Sequence, residues 1–316
     1  MKILVTGAKG MLGSDLCPVL RERHEVLATD LVPVPSAEIA GMDVRDYALV
    51  LNTIRSFSPD VVIHLAALTD VDYCEQKPDE AFRTNTIGTH NIALAARQAG
   101  ATMVYVSTIS VFDGLKQTPY TEFDLPNPQS HYSRSKYEGE RIVQTLMPEY
   151  YIVRAGWMFG GGPEDKKFVA KMVDLACSRP ELKVVNDKFG SPTYTLDISR
   201  GIFHLLDTGF YGLYHMVNTN GCVSRYELAR TILADAGINQ CRIIPVSSAE
   251  FPLPAPRPRM EAALDYHLQL RGMDLMPDWR SALRSYLARL YRLGEHRIAM
   301  PAEAVGSEQR AATSRE

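Results

Sequence analysis

The tightest constraint on this chain stands in its first thirteen residues, where the apolar run Lys2-Ile3-Leu4-Val5-Thr6 breaks into Gly7-Ala8-Lys9-Gly10-Met11-Leu12-Gly13. Strand, glycine turn and helix in that order are the setting of a dinucleotide-binding fingerprint, here in Gly-x-x-Gly-x-x-Gly spacing. Each glycine answers a physical need. Gly7 permits the tight turn, Gly10 lets the backbone approach a pyrophosphate, and Gly13 lets the helix lie close to the strand. The unpaired N–H groups of the helix N-terminus then face the anion. Lys9, Met11 and Leu12, set among the glycines, join them as candidate cofactor contacts. The helix is expected over residues 11–23, with a kink or early break at Pro18.

The next segments extend the same pattern. A second strand over 25–29 ends at Asp30, which lies 23 residues past Gly7, close to the ~20 expected of a ribose-binding carboxylate. An acid there accepts hydrogen bonds from a 2′-hydroxyl and repels a 2′-phosphate, which favours NADH over NADPH; Lys9 is the cation that would offset it. Asp43 and Val44 are placed beside the adenine. Helical periodicity covers residues 47–57, and Val61-Val62-Ile63-His64-Leu65 reads as a buried strand running into Ala66, Ala67 and Leu68 beneath the cofactor. His64 inside that strand is read as a core histidine. A long helix is expected over 78–100, carrying Asn85 and Asn91, with Asn85 as an organiser of the active site.

Residues 103–107 form the next strand, leaving Thr108 at its carboxyl end, where doubly wound sheets bind ligands. A Pro-rich loop then feeds a helix over 131–147 that holds Tyr132 and Lys136 at i and i+4, on one face a turn apart. A free tyrosine titrates near pH ~10, and a cation one turn away favours its ionised form. Thr108, Tyr132 and Lys136 are the candidate catalytic set.

The texture changes at Phe159-Gly160-Gly161-Gly162-Pro163, where a second lobe is expected to start. The lysines of an expected helix over 166–179 (Lys166, Lys167, Lys171) read equally as a solvated face or as partners of a pyrophosphate, Lys167 being the candidate contact. Helices follow over 196–206 and 224–236, the latter with Ser224 as N-cap and Glu227 at the capping-box position. Arg257 stands in a proline-rich loop and could grip a phosphate with its fork. A last amphipathic helix covers 277–290, and from Gly294 onward the composition reads as a disordered tail. The expected architecture is α/β: a Rossmann-like doubly wound parallel sheet with a smaller, discontinuous α/β substrate-binding lobe. The division is residues 1–158 with a return over about 190–212, against 159–189 and 213–292, with 293–316 as tail.

Composition narrows the class. At 316 residues the chain is long enough for such a core and a second lobe. With 34 basic and 37 acidic residues, its net charge of −3 offers no field for nucleic acid. No apolar run reaches the ~18–20 residues of a membrane span, and the glycine turn comes too early for a signal peptide. Five scattered cysteines, Cys17, Cys74, Cys177, Cys222 and Cys241, without Cys-x-x-Cys spacing, read as reduced thiols with no metal knuckle. A cytoplasmic protein without a metal site formed by its side chains is the expectation.

Together these residues resemble the extended short-chain dehydrogenase/reductases and, more closely, the dTDP-4-dehydrorhamnose reductase family among them. The resemblance rests on the Gly7/Gly10/Gly13 turn, Ser107-Thr108 with Val111-Phe112-Asp113-Gly114, Pro119-Tyr120-Thr121-Glu122, Tyr132 with Ser135-Lys136, Trp157, Asn186-Asp187 with Gly190 and Pro192-Thr193, and Arg257-Pro258. It implies NAD(P)H-dependent reduction of the 4-keto group of a nucleotide-linked 4-keto-6-deoxy sugar. By that resemblance Tyr132 donates the proton, Lys136 lowers its pKa and binds the nicotinamide ribose, Thr108 holds the carbonyl oxygen, and Asn85 stands near Lys136. Trp157 and Arg257 would contact substrate, and a homodimer would be its assembly; a Mg²⁺ requirement is left open. The chain departs from the family at Ile109-Ser110, where Asp-Tyr is usual, and at Met260-Glu261, where Asn precedes Ser or Thr. Both departures fall at the sugar, so a different sugar, an epimerase with bound NAD, or a non-catalytic NAD(P)-binding subunit like the methionine adenosyltransferase β-subunit stand as alternatives.

Overall fold

In the computed structural model, residues 1–161, 165, 167–273 and 275–292 are described. The strands in chain order are β1 (Lys2–Thr6), β2 (Glu25–Asp30), β3 (Ile39–Gly41), β4 (Val61–His64), β5 (Thr102–Thr108), β6 (Tyr150–Ala155), β7 (Trp157–Phe159), β8 (Glu181–Val185), β9 (Phe189–Gly190), β10 (Pro192–Tyr194), β11 (Gly212–Met216), β12 (Val223–Ser224), β13 (Arg242–Val246) and β14 (Met260–Glu261). The helices are α1 (Met11–Arg21), α2 (Tyr47–Phe57), α3 (Val71–Gln76), α4 (Pro78–Ala81), α5 (Gly88–Ala99), α6 (His131–Leu146), α7 (Phe168–Ser178), α8 (Thr195–Leu206), α9 (Arg225–Asp235), α10 (Tyr266–Leu270) and α11 (Trp279–Arg292).

Seven strands make one sheet in the order β11-β6-β5-β4-β1-β2-β3, parallel at every pairing. Alternate side chains of a strand leave on opposite faces, and β1 divides its residues accordingly. Ile3 and Val5 pack with Leu16 of α1 and Ile198 of α8, whereas Leu4 packs with Val50 of α2, Ile92 of α5 and Val143 of α6. A sheet covered on both faces needs strands that are apolar throughout, and every residue of β4 is buried. The strand order reverses between β1 and β4. That switch point opens a crevice beyond the carboxyl ends of the strands, the place where open α/β sheets bind ligands.

The chain parts from expectation at several elements. Helix α1 runs through Pro18 and ends at Arg21; Leu16, Cys17 and Leu20 around the proline are buried in the core, and this packing outweighs the local propensity. The long helix expected over 78–100 is interrupted by a π-helical turn, Phe82–Ile87, with Asn85 inside it. Helix α7 begins at Phe168, with Lys167 as its N-cap, while Lys166 and the tail from Gly294 lie outside the described residues. A second core gathers Phe159, Val173, Leu228, Ile232, Leu283 and Tyr286 from β7, α7, α9 and α11, beside the parallel pair β8–β13. Strand β11 pairs with β6 as an edge of the main sheet and buries Tyr214 and Met216 in its core. Among the described residues no helix is long and apolar enough to cross a membrane.

Candidate active site

The glycine turn closes onto the end of β4 with no room for side chains. Gly7 has φ +70°, a left-handed conformation, and a Cβ there would stand 2.6 Å from the Ala66 backbone nitrogen. One on Gly13 would stand 2.5 Å from the Ala8 carbonyl oxygen. The cleft above the turn measures about 1150 Å³. Its walls include Gly7, Lys9, Gly10, Met11, Leu12 and Gly13 from the turn, then Asp30, Asp43 and Val44, and Ala66, Ala67 and Leu68. The Asp30 carboxylate, at the tip of β2, accepts the Lys9 N–H at 3.0 Å and the Leu31 N–H at 2.8 Å. Asp43 is gripped by the Arg45 guanidinium at 2.7–3.1 Å, and that hydrogen bonding holds its carboxyl below the ordinary range. Asn91 donates to the Val44 carbonyl at 3.0 Å and fixes this loop. Arg45 itself lines the cleft and was not singled out from the sequence.

Thr108 and Tyr132 line the same cleft. The Thr108 side chain favours the ionised phenol, but burial dominates and pushes Tyr132 up to about 12. Lys136 does not reach the cleft wall. It is 3% exposed, its ammonium lies 4.2 Å from the centre of the Tyr105 ring, and burial pulls it down to about 7 against the opposing charge of Glu140. Desolvation is the largest influence on both groups, raising the phenol and lowering the ammonium. Asn85 is also buried behind the wall. Its side chain accepts from the Leu68 N–H at 2.7 Å and donates to the Leu68 carbonyl at 3.1 Å and to Ser135 at 2.9 Å. It thereby ties the strand-end loop to α6, a positioning task. His64 is a core residue, bonded to Thr6 at 2.7 Å and Thr89 at 3.1 Å, with burial taking it down to about 3.

The far wall holds Trp157, Lys167 and Arg257. Trp157 lies against the backbone of Gly190, where a Cβ would meet the indole at 2.2 Å. On the ring sits Arg225, its guanidinium carbon 3.4 Å from the ring centre. The indole N–H donates to Glu261 at 3.1 Å, and the other Glu261 oxygen accepts from Ser110. Arg257 is paired with Asp72 of α3 at 3.0 Å. Ser110, Arg225 and Glu261 were not named as site residues by sequence reasoning; only the family departures at 109–110 and 260–261 pointed to two of them.

A glycine-lined cleft at the switch point of a doubly wound sheet, with a Thr–Tyr hydroxyl pair in its wall, defines an NAD(P)-dependent oxidoreductase of the short-chain dehydrogenase/reductase type. Within that class the chain belongs to the family of the RmlD substrate binding domain, whose model matches residues 1–292. It is 38% identical over 292 residues to a dTDP-4-dehydrorhamnose reductase of Mycobacterium tuberculosis, a match covering 91% of this chain and 92% of that one. The crystal structure of a dTDP-4-dehydrorhamnose reductase from Clostridium acetobutylicum superposes with a TM-score of 0.85 at 39% identity, covering 92% of this chain and 100% of the other. That of the Bacillus anthracis reductase, in complex with NADP, gives 0.85 at 35% identity, with 91% and 99% covered.

Proposed function

We propose that this chain reduces the 4-keto group of a nucleotide-linked 4-keto-6-deoxy sugar, with dTDP-4-dehydrorhamnose as the substrate. The observation that carries the reading is the Thr108–Tyr132 hydroxyl pair opening onto the cleft that the glycine turn floors, in a chain whose relatives bear that reductase name. The side-chain-free surfaces at Gly7 and Gly13 and the carboxylate of Asp30 fit a dinucleotide. When bound, the nicotinamide supplies the hydride. Tyr132, kept protonated by its burial, gives a proton to the oxygen as negative charge develops there. Thr108 holds that oxygen in place and shares the charge, which is where stabilisation accelerates the step. Asp30 favours NADH, with Lys9 and Arg45 as the nearby cations that admit NADPH. Division of labour between a cofactor half and a substrate lobe, with Trp157, Lys167 and Arg257 on the substrate side, is part of the proposal.

The test is Tyr132→Phe, assayed by consumption of NADH and of NADPH on dTDP-4-dehydrorhamnose. Turnover should fall by about 100-fold or more, with cofactor affinity unchanged and NADH the better donor in the wild type. A variant that still turns over at the wild-type rate removes Tyr132 from the proton-donor role.

A further inference from the structure

The stretches 109–110 and 260–261 meet in space. Ser110 and Glu261 are 151 residues apart, yet the Ser110 hydroxyl donates to one oxygen of the Glu261 carboxylate. The Trp157 indole N–H donates to the other at 3.1 Å. Each of the three side chains is half-buried and lines the cleft. Backbone pairing fixes the arrangement from below: β14 runs parallel to β9 with Glu261 opposite Gly190, and Gly190 is the residue on which the indole rests. Ser110 is fixed from the other side, its N–H bonded to the Thr108 hydroxyl oxygen at 3.1 Å. Glu261 is thus held at a set distance from the Thr108–Tyr132 pair, close enough for its charge to act on the phenol.

A carboxylate only accepts, and its two oxygens have about four lone-pair sites. Ser110 and Trp157 fill two, which leaves acceptor capacity for donors that enter the cleft. A ketone or a phosphate has no proton to offer it; a sugar hydroxyl has. On the reductase reading above, on which this inference rests, the reacting carbonyl stands at Thr108 and Tyr132, and the ring carbon beside it carries a hydroxyl. We propose that Glu261, held by Ser110 and Trp157, is a specificity-determining residue that accepts a hydrogen bond from the sugar hydroxyl adjacent to the reacting ketone. A hydroxyl bonded to a charged acceptor is among the stronger neutral-to-ion contacts, and a substrate without it leaves the carboxylate short of a partner.

The experiment compares kcat/KM for dTDP-4-dehydrorhamnose and its 3-deoxy analogue in wild type, Glu261→Gln and Ser110→Ala, with Tm and NAD(P)H affinity confirming folded protein. Wild type should favour the hydroxylated sugar by about 10- to 100-fold. Glu261→Gln should bring that ratio to within about threefold, mostly through KM for the hydroxylated sugar, and Ser110→Ala should give an intermediate ratio. A merely structural role for Glu261 would lower both substrates together. An undiminished ratio in folded Glu261→Gln overturns the inference, and should that variant fail to fold, an undiminished ratio in Ser110→Ala does so. A wild type that oxidises NAD(P)H with neither sugar overturns the reductase reading, and this inference with it.

Discussion

At the scale of the residue, Tyr132 and Lys136 show how far spacing alone can be trusted. The i,i+4 interval puts them on one helix, as the sequence indicates, but it carries no information on what surrounds each. Burial under Tyr105 takes the Lys136 ammonium down to about 7. An unfolded lysine titrates near ~10.4, so between about 7 and that value the unfolded chain holds a proton that the native chain has shed. Stability contributed by this residue therefore rises with pH across that window and is at its lowest below about 7. Lys136→Met abolishes the titration and its penalty. The variant should melt several degrees higher than wild type at pH 6, with the gap closing as the pH approaches 10, while turnover falls. Calorimetry across pH checks this; a gap independent of pH would show that Lys136 is not held in its shifted state by the fold.

At the scale of the element, the far wall is built from strands of only two or three residues, β7, β9 and β14, whose positions depend on one another. Gly190→Ala tests that dependence. A methyl group at this site would stand 2.2 Å from the Trp157 ring, so the indole must leave its bed between the Gly190 backbone and Arg225. Overpacking of this kind costs about 1–3 kcal/mol. Loss of Tm by a few degrees, a red shift in Trp157 emission and a several-fold rise in KM for the sugar nucleotide are the expected results, with NAD(P)H affinity unchanged. The same elements explain what could be read in advance. The glycine turn, the strand ending at Thr108 and the Ser224–Glu227 capping box, which forms as expected, are local patterns within a few residues of chain. The π-turn at Asn85 depends on partners 17 and 50 residues away. Glu261 reaches Ser110 across 151 residues and Trp157 across 104. No periodicity encodes such meetings, and only the two departures from the family pattern hinted at one.

At the scale of the whole molecule, two aspartates join distant stretches of chain at different places and do different work. Asp15 of α1 is buried. It accepts from Thr195 at the start of α8, from the Gly161 N–H at 3.0 Å and from Arg289 of α11 at 2.6 Å, so one carboxylate gathers four separate stretches of chain. Asp72 of α3 instead stands at the cleft. One oxygen accepts from the Ala255 N–H at 3.1 Å and the other pairs with Arg257 at 3.0 Å, anchoring the loop that carries the proposed substrate arginine. The Asp72 pair is about 30% exposed on each side, where ion pairs contribute at most ~1 kcal/mol. Removing Asp15 leaves a buried amide and a guanidinium without their acceptor, a loss of about 2–4 kcal/mol. Asp15→Ala should therefore lower Tm by about 3–6 °C and leave KM for the sugar nucleotide nearly unchanged at temperatures where the variant is folded. Asp72→Ala should leave Tm within about 2 °C yet raise that KM several-fold, because Arg257 and its loop lose their anchor. Thermal melts and steady-state kinetics on the two variants separate the roles. Equal losses of Tm in both would mean that the cleft seam is as much a part of the scaffold as the buried one, and that Arg257 is held for stability and not for substrate.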